Sequence, residues 1–130
     1  MKTVIEIKEN IPGLNGNHGL IREHFRGAAK RKERYTLWIM SQPRNIHTGP
    51  VKITLIRHTL RFMDWDNMCA SFKHLGDALV SAGVIRDDKP EIIKKFDPRQ
   101  VKVNKQAAQK TVIEIEDLPK IINEQSTLKF

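Results

Sequence analysis

A chain of 130 residues with 39% hydrophobic and 29% charged residues has the composition of one globular domain, which excludes disorder as its general state. Its one cysteine, Cys69, excludes an intramolecular disulfide and a zinc finger and fits a reduced, intracellular setting; no apolar run approaches a membrane span, and the alternation in MKTVIEIKEN is not that of a signal peptide. Lys and Arg number 23 against 15 Asp and Glu, a net charge of +8, which suits a polyanionic partner or, more simply, solubility.

Residues 3–8 alternate in hydrophobicity and predict a strand. Residues 11–19, IPGLNGNHG, are dense in turn formers and predict a loop. From Leu20 to Met40 apolar residues recur at helical spacing, with Tyr35, Trp38 and Ile39 on the apolar face, where they read as core rather than as base-stacking groups. Residues 19–34 set Arg22, Arg26, Lys30, Arg31, Lys32 and Arg34 against two glutamates, so half of the net charge falls on this stretch. Residues 41–50 form a loop with two prolines. Residues 51–60 are rich in β-branched side chains and give the strongest strand signal. Met68, Phe72, Leu75, Leu79 and Ala82 mark one face of a helix over 67–82, with Gly83 as its stop. A turn at VIRDDKP leads to a short strand at 91–96. A polar, basic connection follows over 97–110, then a strand at 111–117 and a short terminal helix. The order β-α-β-α-β-β predicts an α+β fold with a single mixed sheet and two main helices, its last two strands paired as a hairpin.

The chemically distinctive segment is Asp64-Trp65-Asp66-Asn67, where the best strand gives way to a helix. In extended chain, residues two apart share a side, so Asp64 and Asp66 would share one small volume and attract Mg²⁺. Asn67 would fix a carboxylate or a metal-bound water, and Trp65 would face away into packing or a subunit interface. The competing reading is a helix N-cap, a position that Asp and Asn favour. Asp87-Asp88 reads as an acidic turn that joins the Asp64 site if the strand after it lies beside the strand before Asp64. Lys73 would stabilise phosphate charge or orient a water; alternatively it is a surface lysine paired with Asp77. Cys69 reads as a buried structural thiol, and the histidines lack metal-binding spacing.

The ordered set Asp64-x-Asp66-Asn67, Lys73, Asp77-Ala78-Leu79, Ala82-Gly83 and Asp87-Asp88 resembles the RusA family of Holliday junction resolvases. The similarity is strongest over residues 50–95. It implies a homodimer, a cytoplasmic, nucleoid-associated protein of bacterial or phage origin, and Mg²⁺-dependent nicking of branched DNA. It also implies metal ligation by Asp64, Asp66 and Asp88, and a catalytic Lys73. About three residues are inserted between Asn67 and Lys73 relative to the family spacing, a rotation of roughly 300° on a helix. The arginine run before the acidic motif is reduced to Arg57 and Arg61. DNA contacts are therefore expected from Arg22, Arg26, Lys30, Arg31, Arg34 and Arg61, and from Arg99, Lys102 and Lys105. A DNA-binding module without catalysis, and a metal-dependent nuclease for other branched DNA, are the alternatives.

Overall fold

The computed structural model describes residues 1–9 and 25–119. Among the described residues, four strands and three helices follow one another as β1 (Lys2–Ile7), α1 (Phe25–Met40), β2 (Val51–Thr59), α2 (Trp65–Ala70), α3 (Phe72–Ser81), β3 (Ile93–Lys102) and β4 (Lys110–Asp117). A single 3-10 turn, Gln106–Ala108, lies between β3 and β4. The strands form one mixed sheet in the order β1-β4-β2-β3. β4 is antiparallel to both of its neighbours, and β2 and β3 run parallel. The architecture is α+β, as the element order predicts.

Alternation sets which sheet face is buried. Ile5, Ile7, Ile53, Leu55, Ile113 and Ile115 point to one side and close a core with Tyr35, Ile39, Met68, Leu75 and Leu79 from the helices. Tyr35 is fully buried, as expected, and Trp38 packs against the same cluster. The α3 C-terminus is closed by Gly83 at φ 75°, with Val84 N–H donating to Leu79 O at 2.9 Å and Gly83 N–H to Val80 O at 3.0 Å. That left-handed turn favours glycine, and the two bonds satisfy carbonyls that the helix end leaves open.

Four details differ from expectation. The second helix begins at Trp65 rather than residue 67, because Asp64 caps it, and it is interrupted at Ser71. β3 extends to Lys102, so the first part of the expected basic connection is strand. Its alternation is weak because it is an edge strand with few buried positions, and an edge also tolerates Pro98, which lacks a ladder N–H. β3 and β4 do not form a hairpin: β4 lies between β1 and β2, and β3 lies on the far side of β2. The crossover through α2 and α3 makes β2 and β3 parallel. The start of the long helix, the Pro/Gly-rich loop and most of the terminal helix fall outside the described residues.

The β1 edge is closed by side chains that imitate a neighbouring strand. Gln42 accepts from Glu6 N–H at 2.9 Å and donates to Glu6 O at 2.7 Å, while Asn45 Nδ2 donates to Lys2 O at 2.9 Å. Behind them His47, 1% exposed, bridges Thr3 Oγ1 and Asp117 Oδ1, at 2.8 Å each. Asn45 N–H donates to the same Thr3 oxygen at 3.0 Å, so the hydroxyl can donate to His47 Nε2 while Nδ1–H donates to Asp117. The loop, β1 and β4 are thereby joined by a satisfied polar network.

Candidate functional site

The segment after β2 is fixed before it reaches Asp64. Thr59 Oγ1 accepts from Arg61 N–H at 3.2 Å and donates to Arg61 O at 2.8 Å. Gln100 on β3 accepts from Met63 N–H at 2.9 Å and donates to Met63 O at 2.8 Å. Asp64 follows in extended conformation, φ −68° and ψ 164°, and caps α2. Its Oδ1 accepts from Asn67 N–H at 2.9 Å, and its Oδ2 from Asn67 Nδ2 at 3.0 Å. Asn67 thus orients a carboxylate, as expected, and each oxygen retains a lone pair.

The strand-type alternation expected of Asp64 and Asp66 does not occur, because Asp66 lies in the first turn of α2. Asp64 and Asp66 are exposed. Trp65 is 59% exposed and Phe62 60%, so Trp65 is not part of the core of its own chain. Cys69 is exposed, correcting the expectation of a buried thiol: the inward position in this turn belongs to Met68. Asp66 and Cys69 on α2 and Lys73 in the first turn of α3 are all exposed.

Asp87 and Asp88 lie beyond the C-terminus of α3. Asp87 Oδ1 accepts from Asp88 N–H at 2.7 Å, and this bond holds the Asp87 carboxyl below its usual range. Asp88 is shifted upward, first by partial loss of solvent around a side chain that is still exposed, then by its bond to Asp87 and the charges of Asp77 and Asp87. Strand β3 does lie beside β2, but in parallel. Met63 is tied to Gln100, whereas Lys89 O accepts from Ile92 and Ile93 N–H, at the other end of β3. The seven residue steps between Ile93 and Gln100 span on the order of 20 Å. The two acidic pairs therefore lie at opposite ends of the same crossover, and among the described residues no three His, Cys, Asp or Glu side chains gather into a metal-binding group.

The expected DNA contacts divide. Arg22 lies outside the described residues, and of Arg26 only the backbone is described. Lys30, Arg61, Lys102 and Lys105 are exposed, and Arg31 is half-buried. Arg34 donates to Glu9 at 2.8 Å and lies 5.3 Å over the Tyr35 ring, and the Glu9 bond raises its pKa. Arg99 donates to Asp97 at 2.7 and 3.0 Å. Arg57, 8% exposed, reaches Arg61 O at 3.4 Å, and desolvation lowers its pKa. Gln100 escaped sequence reasoning because a lone glutamine in a basic stretch has no pattern; recognising residues 97–102 as strand would have paired it with Arg57, beside the acidic segment.

No protein-family model matches the chain, and no curated protein matches it. Among the described residues, no helix is long and apolar enough to cross a membrane.

Proposed function

We propose that the chain is a Mg²⁺-dependent, structure-selective endodeoxyribonuclease that resolves four-way DNA junctions by paired nicks, acting as a homodimer on DNA in the bacterial or phage-infected cytoplasm. The observation that carries this reading is the Asp64–Asn67 arrangement: one carboxylate oriented through both oxygens, and a second, exposed, two residues on. The donor set suits Mg²⁺, which commonly takes one or two carboxylates together with phosphate and water. When bound, the ion supplies charge neutralisation at the phosphate and an activated water. Asp64 and Asp66 would hold it, Lys73 in the first turn of α3 would offer a cation to the phosphate, and Arg61, Lys102 and Lys105 would bind the DNA backbone.

The separation of the acidic pairs bears on the dimer. If Asp88 contributes to the metal site, it does so across a two-fold axis, where the end of one crossover meets the start of the partner's. A four-way junction has near two-fold symmetry, so a C2 dimer presents one nicking site to each of two equivalent strands.

The second reading, a DNA-binding module without catalysis, is favoured by the same cap, since Asp64 has a structural use. Asp66 separates the two because it does not cap α2. Asp66→Asn should reduce cleavage of a synthetic four-way junction in Mg²⁺ by about 100-fold or more, with binding retained and the melting temperature little changed. Parental cleavage by Asp66→Asn overturns the metal assignment. Junction binding by the parent without any Mg²⁺-dependent cleavage selects the module. Equal cleavage of forks, flaps and junctions selects the broader nuclease.

A further inference from the structure

We infer that Gln100, far from Asp64 in sequence, is a positioning residue for the metal site; the inference rests on the reading of Asp64 and Asp66 as Mg²⁺ ligands. Beyond Thr59 the chain has left the sheet ladder, and the backbone N–H and C=O of Met63 are part-buried and need partners. The Gln100 carboxamide supplies an acceptor and a donor together, at 2.9 and 2.8 Å, as a neighbouring strand would. Glutamate offers only acceptors when ionised, and methionine fills a similar space with neither bond.

The position of this clamp gives it a consequence beyond tethering. Met63 directly precedes the cap residue, so fixing its peptide fixes the direction in which the chain enters α2. Asp64 is then held from two sides: by Gln100 through the preceding residue, and by Asn67 at both carboxylate oxygens. Thr59 holds the stretch one step earlier through both backbone groups of Arg61. The exposed carboxylates are thus mounted on a segment bound to the sheet. A strongly hydrated ion gains from donors that are already in place, since their ordering need not accompany binding.

Gln42 gives an internal comparison. It makes the same two-bond contact with Glu6, at 2.9 and 2.7 Å, on the β1 edge, where no candidate ligand follows. An amide clamp that only stabilises the fold predicts like behaviour at both positions. A clamp that positions the metal site predicts an effect on metal affinity at Gln100 alone.

The test measures Mn²⁺ binding to DNA-free protein by electron paramagnetic resonance, with amide hydrogen exchange at Met63 and Asn67. Gln100→Met should weaken Mn²⁺ binding about tenfold or more, the range seen when the supports of metal ligands are removed, and should speed exchange at Met63. Gln42→Met should leave Mn²⁺ affinity unchanged. Gln100→Glu, which keeps one of the two bonds, takes the place of Gln100→Met if that variant does not fold. Faster Met63 exchange with parental Mn²⁺ affinity overturns the positioning role and leaves the nuclease reading intact. If the parent binds no Mn²⁺, the metal-site reading fails and the inference fails with it.

Discussion

The two acidic pairs of this chain look alike in sequence and differ in how the fold receives them. Asp64 and Asp66 begin a helix, where free N–H groups and the helix dipole favour negative charge, and both Asp64 oxygens accept bonds from Asn67. Asp87 and Asp88 lie in the turn between α3 and β3, with no helix start to receive them. Asp87 is accommodated by the Asp88 N–H and, at 3.7 Å, by Lys89. Asp88 is left with reduced solvation and the nearby charges of Asp77 and Asp87, which together push its pKa up. In the first pair, Asp64 is bonded within its own chain through both carboxylate oxygens. In the second pair the ionised form of Asp88 is disfavoured, first by its reduced solvation and then by its bond to Asp87 and the nearby charges.

The largest expected effect tests whether the pairs act together. Asp66→Asn and Asp88→Asn should each lose about 100-fold or more of cleavage as homodimers. Mixed and allowed to exchange subunits, they form heterodimers in which one composite site has all of its carboxylates and the other has lost two. Random exchange should return about a quarter of the parental sites. The product should be a nicked junction rather than a resolved one, since each heterodimer holds one intact site. A mixture as inactive as its components would break the comparison and confine each site to a single chain.

Sequence reasoning reached the fold where burial writes a pattern. β1, β2 and β4 alternate because one face of each is covered by helices, and all three were legible. β3 was legible only at its start, because an edge strand buries too little to impose a period; its pairing with β2 depends on the crossover, which no local pattern records. The acidic segment was legible as a pair of alternatives, metal site or cap. The structure gives the cap to Asp64 alone and leaves Asp66 exposed. The juxtaposition of Met63 with Gln100, 37 residues apart, is a product of the parallel pairing and leaves no trace in sequence spacing.

A smaller effect separates the two duties of Asp64. Asp64→Ala should destabilise the fold by about 1 kcal/mol through loss of the cap, whereas Asp64→Asn should be nearly neutral because asparagine caps as well as aspartate. Both should lose cleavage if Asp64 is a metal ligand. Chemical denaturation and the junction assay, run on both variants, read the two duties independently. A fully active, stable Asp64→Asn would reduce Asp64 to a cap and leave Asp66 without its neighbouring ligand.

The smallest expected effect concerns sign, and Asp117 supplies the reference. Its bond to His47, with the attraction of the chain's amino terminus, holds its pKa below 3.8. A depressed carboxyl pKa contributes stability that is present above the unfolded value and is lost as pH falls through the folded one. Asp117→Asn should therefore lower the melting temperature at neutral pH, and the difference should shrink on acidification. Asp88 has the opposite shift. A raised carboxyl pKa means that the ionised group is disfavoured in the fold, so its contribution worsens as pH rises from 3.8 through the folded value. Asp88→Asn removes that charge at nearly constant shape and should leave the melting temperature at neutral pH the same or slightly higher, even as cleavage is lost. Adding Mg²⁺ should raise the melting temperature of the parent and do so less in Asp88→Asn, because a ligand stabilises the state that binds it. A clear drop in melting temperature for Asp88→Asn without Mg²⁺ would show that the second pair is offset by its own chain after all, and the contrast between the pairs would fall.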